Sequence, residues 1–254
     1  MTRLEQREIE VNKRFALRMH DYIHRPDGKL AYNRELFAEI ASKYNFITRA
    51  LSFGSDAYWK DQLIEHLQDM ENPQCLDLAC GTGDITFRLA QKYPGGSILG
   101  LDLTKGMVAR ARLKNCHPNS QFVVGDMCRT RFADESFDIV TGGYALRNAP
   151  DLERALTEIR RVMRPGATAA FLDFSKPANR FFQRLEIALL KIWGSFWGFT
   201  LHRNAEVYTY IAESLKQFPD SEQLKVRLAD KGLAVVWSKK HFFGFTETIV
   251  CEKR

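Results

Sequence analysis

Two patterns of hydrophobic residues divide the chain near residue 70. Before that point apolar residues recur at helical spacing, and no run resembles a strand. One such set is Trp59, Leu63 and Leu67. Asp27-Gly28 predicts a turn within this part. We therefore expect residues 1–70 to form a helical N-terminal arm or lid, and residues 71–254 to form the main domain.

From residue 71 onward, short apolar runs alternate with segments of helical length. The runs that predict parallel strands are 75–80, 98–102, 121–124, 137–141 and 167–174. The helices predicted between them cover 85–93, 104–114, capped by Thr104, and 151–163, stopped by Pro165-Gly166. Strands joined by helical crossovers form a parallel sheet with helices on both faces. The pattern predicts a doubly wound, Rossmann-like α/β fold.

The C-terminal third departs from this alternation. A helical insertion at about 178–217 and a helix over 221–231 precede two last apolar runs, 233–237 and 245–251. These two runs are expected to pair as an antiparallel edge, which completes a seven-stranded, mostly parallel sheet. Large apolar side chains crowd the stretch 181–199 within the insertion. This stretch predicts either a lid or channel for a lipid tail, or an ordinary buried helix pair that covers the sheet.

A glycine-containing loop follows the first predicted strand, in residues 76–84 (LDLACGTGD). Ligands of open α/β sheets bind beyond the carboxyl ends of the strands, where glycines let the backbone approach them. A dinucleotide fingerprint, GxGxxG, would have glycine where Thr86 stands. Asp77 would be an awkward neighbour for a pyrophosphate, but it suits the amino group of a methionine moiety. Asp102 ends the second strand, where a carboxylate can accept both hydroxyl hydrogens of a ribose.

The segment Gly125-Asp126-Met127 follows the third strand, where it can reach the edge and face of an adenine. Each feature alone is compatible with a simple turn or a helix cap, but their order at successive strand ends predicts S-adenosylmethionine as the cofactor. The predicted cofactor-binding residues are Asp77, Ala79, Gly81, Thr82, Gly83, Asp102, Leu103, Gly125, Asp126, Met127 and Gly143.

Charge and cysteine usage narrow the class of partner. The net charge is +6, but basic residues are dispersed among acids and form no aromatic-interleaved run, so no nucleic acid partner is expected. The five cysteines include no CxxC pair, which predicts reduced thiols, no metal site and no disulfide framework. The polar N-terminus and the charges within 181–201 argue against a secretory signal and a membrane span. A cytoplasmic protein is expected, with peripheral membrane contact and a homodimer left open.

Four longer motifs add a family resemblance. They are YNFITRALSFGSDAYWK at 44–60, ALRN at 145–148, FLDFSKP at 171–177, and YTYIAES at 208–214 followed by Phe218-Pro219. The chain resembles class I methyltransferases and, more closely, the C-methyltransferases of ubiquinone and menaquinone biosynthesis, over about residues 37–232. The resemblance implies methyl transfer to a ring carbon of a reduced, prenylated quinone.

By the same resemblance, Tyr44, Arg147 and Asn148 line the reacting centre. Arg147 can stabilise a phenolate or polarise a water that takes the proton, and the other two can orient ring hydroxyls. Their plainer interpretations are a core aromatic for Tyr44, a surface salt bridge for Arg147, and a turn or cap for Asn148.

Some positions differ from the family pattern. Asn45 stands where Asp is usual, Thr48 where Asn is usual, Asp56 where His is usual, and the last strand reads differently over 248–253. These differences keep open another hydrophobic acceptor, such as a natural-product ring or a phospholipid amine. A non-catalytic subunit that binds lipid and cofactor is the third hypothesis.

Overall fold

Helices precede the sheet in the computed structural model, which describes residues 18–177 and 179–254. They are α1 (Met19–Tyr22), α2 (Pro26–Ile40), α3 (Tyr44–Leu51) and α4 (Asp56–Glu65). The turn predicted at Asp27-Gly28 is wrong, because both residues lie in the first turn of α2, with Pro26 at its first position. A Cβ on Gly28 would collide with the carbonyl oxygen of Tyr22. The start of the predicted arm, residues 1–17, lies outside the described residues.

The predicted seven-stranded, mostly parallel sheet is confirmed. Its strands are β1 (Gln74–Leu78), β2 (Ser97–Asp102), β3 (Ser120–Val124), β4 (Phe137–Gly143), β5 (Met163–Phe174), β6 (Leu233–His241) and β7 (Thr246–Lys253). The strand order is β3-β2-β1-β4-β5-β7-β6, and β7 runs antiparallel to both of its neighbours. The last two strands pair with each other as predicted, but β7 lies inside the sheet and β6 alone forms that edge.

Six further helices cover the sheet and its carboxyl ends. They are α5 (Asp84–Lys92), α6 (Lys105–Lys114), α7 (Leu152–Val162), α8 (Arg180–His202), α9 (Glu206–Gln217) and α10 (Ser221–Asp230). The hydroxyl of Thr104 makes no capping hydrogen bond, although α6 begins directly after it. Pro165-Gly166 does not stop α7 but lies inside β5, where the register with β4 jumps from Met163 to Thr168. A bulge therefore accommodates the proline, which cannot donate to the ladder.

Both faces of the sheet are buried. One face packs Leu76, Leu78 and Val140 against helices α7, α9 and α10, and the other packs under Trp59 of α4 and Leu89 of α5. A separate apolar cluster joins α2, α3, α6 and α9. This cluster contributes Phe37, Tyr44 and Met107 to a cavity beside the glycine loop, so these helices help to close that end of the sheet.

Helix α8 is the least buried of the long helices. Within it only Glu186, Gly194 and Gly198 are buried, whereas its exposed side chains include Phe181, Leu185, Phe196 and Phe199. The alternative prediction for residues 181–199, an ordinary buried helix pair, therefore does not hold for the outer face of α8. Within 18–177 and 179–254, no helix has the length and hydropathy needed to cross a bilayer.

Candidate active site

Three adjoining cavities lie around the carboxyl ends of β1, β2 and β4. The glycine-loop cavity, of about 580 Å³, is lined by residues that include Gly81, Asp102, Asp126 and Met127. The polar cavity, of about 960 Å³, is lined by residues that include Lys60, Asp77, Thr82 and Asp84. The apolar cavity, of about 830 Å³, is lined by residues that include Ile47, Arg147, Phe174 and Tyr210.

The glycine loop takes a left-handed backbone at three positions. These are Ala79 (φ +49°), Gly81 (φ +56°) and Gly83 (φ +91°). Gly83 caps α5, and a Cβ there would approach the rings of Phe87 and Phe122 to 2.8 and 3.0 Å. Gly83 lines none of the three cavities, so its local role in this structure is to permit the turn and the packing beneath it.

Asp102 forms the part of the glycine-loop cavity suited to a diol. Its buried carboxylate accepts the backbone N–H of Thr104 at 2.8 Å on one oxygen and that of Gly81 at 2.9 Å on the other. Burial raises the pKa of this carboxyl, and the hydrogen bonds oppose that shift. Each oxygen keeps further acceptor capacity, which is what two ribose hydroxyls require.

Asp77 is the buried acid of the polar cavity. It accepts hydroxyl hydrogens from Thr86 at 2.6 Å and from Thr141 at 2.9 Å. Burial raises its pKa to about 7, although both hydroxyls act in the opposite direction. Thr86, whose position excluded a dinucleotide fingerprint, is thus a partner of the acid that suits a methionine amino group.

A partly buried ion-pair network, centred on the buried Lys60, lies beside Asp77. Lys60 donates to Asp56 at 2.6 Å and to Asp84 at 2.7 Å. Burial lowers the pKa of Lys60, but the two carboxylates outweigh it and the net shift is upward. Thr82 donates to the amide oxygen of Asn45 at 2.6 Å, so the difference from the family pattern at residue 45 lies against the glycine loop.

Arg147 is buried beside the apolar cavity, which excludes a surface salt bridge. Its backbone N–H donates to Asp173 at 2.9 Å, its guanidinium donates to Ser214, and Nε lies 3.6 Å from the Asp173 carboxylate. The guanidinium carbon lies 5.0 Å from the ring centre of Phe174. Nε has no hydrogen bond to the described residues, so the group retains a donor.

Asn148 lies between the glycine-loop cavity and the apolar cavity. Its side-chain nitrogen donates to the backbone carbonyl oxygen of Tyr144 at 2.7 Å, and its backbone carbonyl oxygen accepts a hydrogen bond from the side chain of Asn33 at 2.7 Å. The side-chain oxygen is buried without a hydrogen bond to any described residue. Asn148 therefore offers a fixed acceptor in the site, although it also has the local contacts expected of a turn residue.

Tyr44 and Tyr144 line all three cavities. A Cβ on Gly81 would lie 3.6 Å from the Tyr44 ring, so the ring covers the glycine loop. Burial raises the pKa of Tyr44 to about 12, which keeps its hydroxyl protonated at neutral pH. Tyr44 was predicted from the sequence but Tyr144 was not, although it is an aromatic residue immediately before ALRN.

The structure brings all of the predicted site residues except Gly83 together around the three cavities. Eight predicted cofactor residues line the glycine-loop cavity: Ala79, Gly81, Asp102, Leu103, Gly125, Asp126, Met127 and Gly143. Asp77 and Thr82 line the adjoining polar cavity, and the three predicted acceptor residues line the apolar cavity. The donor and acceptor chemistry of these cavities fits S-adenosylmethionine, with a diol acceptor at Asp102 and an acid at Asp77.

This fold and site define a class I methyltransferase that depends on S-adenosylmethionine. Two solved structures share the fold. A putative methyltransferase from Haloferax volcanii, in complex with the Trm112 activator, has a TM-score of 0.63 and 18% identity, over 85% of this chain and 97% of that one. A SAM-dependent methyltransferase from Aquifex aeolicus has a TM-score of 0.61 and 14% identity, over 85% and 98%.

The chain belongs to the ubiE/COQ5 methyltransferase family, whose model matches residues 27–253. It is 32% identical over 226 residues to the ubiquinone/menaquinone biosynthesis C-methyltransferase UbiE of Geobacter sulfurreducens, covering 87% of this chain and 88% of the relative. It is 34% identical over 202 residues to the demethylmenaquinone methyltransferase of Thermus thermophilus, covering 79% and 92%. The predicted family is confirmed, and the match extends beyond the motifs that first indicated it.

Proposed function

We propose that this protein transfers a methyl group from S-adenosylmethionine to a ring carbon of a reduced, prenylated quinone. The observation that carries the proposal is the apolar cavity, which adjoins the glycine-loop cavity at Tyr44, Tyr144 and Asn148. Arg147 is the one charged residue among the described residues that line it. A cavity of this kind suits an apolar ring and tail with a single developing negative charge, and the names of the relatives agree with such a substrate.

The cofactor is proposed to extend through the glycine-loop and polar cavities. Asp102 would accept the ribose hydroxyls, Asp126 and Met127 would meet the adenine, and Asp77 would pair with the amino group. Ala79, Gly81, Thr82, Leu103, Gly125 and Gly143 would supply the surrounding surface. When bound, the cofactor supplies an electrophilic methyl group on a sulfonium.

Two roles are assigned to the side chains around the acceptor: they position its ring, and they stabilise the negative charge that develops on it. A hydroquinone ring becomes a better carbon nucleophile as a phenolic proton leaves, and the buried Arg147 guanidinium would stabilise the resulting phenolate. Tyr44 and Asn148 would hold the ring against the methyl donor, a contribution that can be large because the reacting atoms must be aligned.

An acceptor panel tests this proposal against its rival. Purified protein with S-adenosylmethionine is given reduced demethylmenaquinone, the same compound oxidised, or phosphatidylethanolamine, under anaerobic conditions. We expect turnover with the reduced ring alone. Turnover of the phospholipid amine would instead establish the alternative acceptor class, and binding of cofactor without turnover of any acceptor would favour the non-catalytic subunit.

Variants at Arg147 test its assigned role. Arg147→Ala should reduce kcat by about 100-fold or more while cofactor affinity persists, because the group acts on the acceptor. Since Ala also leaves Asp173 unpaired, Arg147→Lys provides a charge-retaining second variant, with intermediate activity expected. Arg164→Ala is the control, because Arg164 pairs with Asp138 and lines none of the three cavities. Unchanged turnover in Arg147→Ala would remove Arg147 from the mechanism.

The mouth of the apolar cavity also supports a peripheral contact with an anionic bilayer. Phe242 lines the cavity and stacks with Phe53 at 5.7 Å between ring centres, and Phe53 stacks with Trp193 of α8 at 5.5 Å. Phe53 and Phe243 are 65% and 93% exposed. Arg180 and Arg184 are also exposed on α8. Exposed aromatics, with cations on the same helix as Trp193, are features of interfacial anchors, and a bilayer contact here would give a lipid tail a direct route into the cavity.

Vesicle sedimentation tests this contact. Binding to vesicles that contain anionic phosphatidylglycerol should weaken about tenfold when Phe53 and Phe243 are both changed to Ser, and should weaken at high salt. Leu113→Ser, which alters an exposed apolar residue of α6, serves as the control. Equal binding by all three proteins would contradict the proposal. A concentration-dependent dimer that Phe53→Ser dissociates would assign the patch to a second copy of the chain instead.

A further inference from the structure

Tyr144 occupies the junction where the methyl donor and the acceptor must meet. It follows β4 directly and, with Tyr44, lines all three cavities. Its backbone is left-handed at φ +57°, a conformation that is costly for a bulky aromatic residue. Such strain persists where the surrounding structure fixes it, and it concentrates at functional sites. The position and the strain together distinguish Tyr144 from an ordinary core aromatic.

The hydroxyl of Tyr144 has a fixed orientation. It donates its single hydrogen to Asp56 at 2.7 Å. Asp56 is itself held by Lys60 at 2.6 Å, and Lys60 is held from its other side by Asp84 at 2.7 Å. The backbone N–H of Asp56 donates to the hydroxyl of Ser52 at 3.2 Å. Because its hydrogen is committed, the Tyr144 oxygen has only acceptor capacity left for a ligand.

We propose that Tyr144 is a further catalytic residue, whose hydroxyl oxygen accepts a hydrogen bond from a ring hydroxyl of the acceptor, and that Asp56 is the positioning residue that presents this oxygen. The role rests on the proposed function. Asn148 likewise presents an oxygen without a partner among the described residues. Two fixed acceptors match a ring that carries O–H donors and disfavour the oxidised ring, whose carbonyl oxygens only accept.

One difference from the family pattern lies next to Tyr144. Asp56 stands where the family usually has His, and its contacts are with Tyr144 and Lys60 rather than with the glycine loop. Asp56 lines the polar cavity and not the apolar one, so its link to the acceptor runs through Tyr144, which lines both cavities.

Two Tyr→Phe variants, one at Tyr144 and one at a matched position outside the site, test the role of the Tyr144 hydroxyl. Tyr144→Phe should lower kcat/KM for the reduced acceptor by about tenfold, the value of one neutral hydrogen bond, with cofactor affinity unchanged. Tyr93→Phe is the control, since its buried hydroxyl donates to the Gln68 carbonyl at 2.7 Å and the residue lines none of the cavities. If both variants keep wild-type kcat/KM, Tyr144 does not contact the acceptor.

A double-mutant cycle then tests whether Asp56 acts through Tyr144. Asp56→Ala should lower kcat/KM about tenfold, and Asp56→Asn, whose amide oxygen can still accept the Tyr144 hydrogen, should recover part of the loss. In a Tyr144→Phe background, Asp56→Ala should cause little further loss, with thermal unfolding used to confirm that each variant is folded. Fully additive losses would overturn the positioning role.

Absence of wild-type turnover would contradict the proposed function itself, whereas normal wild-type turnover that Tyr144→Phe leaves unchanged would contradict this inference alone.

Discussion

Asp77 illustrates how single residues set the chemistry of the site. Its carboxyl is buried and held by two hydroxyls, and burial raises its pKa to about 7. The folded protein therefore retains a proton at Asp77 at pH values where an ordinary carboxyl, near 3.8, has lost it. Because the folded protein binds this proton more tightly than the unfolded chain does, protonation of Asp77 contributes to the free energy of unfolding. That contribution is fully present below the ordinary pKa and is lost as the pH rises through 7.

The same shift predicts pH-dependent cofactor binding. An ionised Asp77 attracts the amino group of S-adenosylmethionine and a neutral one does not, so affinity should fall by up to about tenfold per pH unit below 7. Asp77→Asn should bind weakly throughout, without this dependence. Calorimetric titrations at about pH 6 and pH 8 measure both effects. Parallel pH profiles for the two proteins would show that Asp77 does not pair with the amino group.

Residues at the ends of strands were predictable from the sequence, whereas residues brought together by contacts across the fold were not. Asp77, Asp102 and Asp126 were predictable because periodicity locates the strand ends, and ligands bind there. The pairing of Tyr144 with Asp56 joins residues far apart in the chain and depends on how α4 packs on the sheet. Local pattern contains no information about such a contact.

Among the elements, α8 and α9 pack through close backbone approaches. A Cβ on Gly194 would lie 2.8 Å from the carbonyl oxygen of Tyr208, and one on Gly198 would lie 2.6 Å from that of Asn204. The composition of 181–199 predicted an unusual helix here, and it left open whether the apolar side chains are buried. The structure resolves this point, because glycines form the buried stripe and several large side chains face outward.

These approaches predict opposite effects for two glycine substitutions. Gly198→Ala should destabilise the protein by about 1–3 kcal/mol, because α8 must move away from the residues that precede α9. Gly106→Ala on α6 is the matched control, since its Cβ would meet only the Ala41 Cβ at 4.0 Å. It should be neutral or stabilise by up to about 1 kcal/mol through helix propensity. Equal denaturant midpoints for the two variants would contradict the close packing of α8.

Over the whole molecule, the sequence predicted the fold class but not the position of the last strand. Alternating strands and helices determine a parallel sheet, and the two final runs predicted an antiparallel pair. A short apolar sequence is compatible with an edge strand and with an interior strand. The insertion of β7 between β5 and β6 was therefore not predictable. The insertion makes the C-terminus an integral part of the core.

Truncation tests that consequence. Removal of residues 246–254 should abolish cooperative unfolding, because β7 pairs on both sides and most of its residues are buried. Circular dichroism during thermal unfolding measures this, and removal of Arg254 alone is the control, since this residue is exposed and follows β7. A truncated protein that melts cooperatively near the wild-type temperature would show that β7 is dispensable.

In the proposed reaction the methyl group is transferred to a ring carbon of the acceptor. The most direct measurement is an anaerobic reaction of reduced demethylmenaquinone with S-adenosylmethionine that carries an isotopically labelled methyl group, followed by tandem mass spectrometry of the product. We predict a labelled methyl group that stays with the ring carbon skeleton on fragmentation. A label bound to ring oxygen, or a product in which the ring is unlabelled, would contradict C-methylation of the ring.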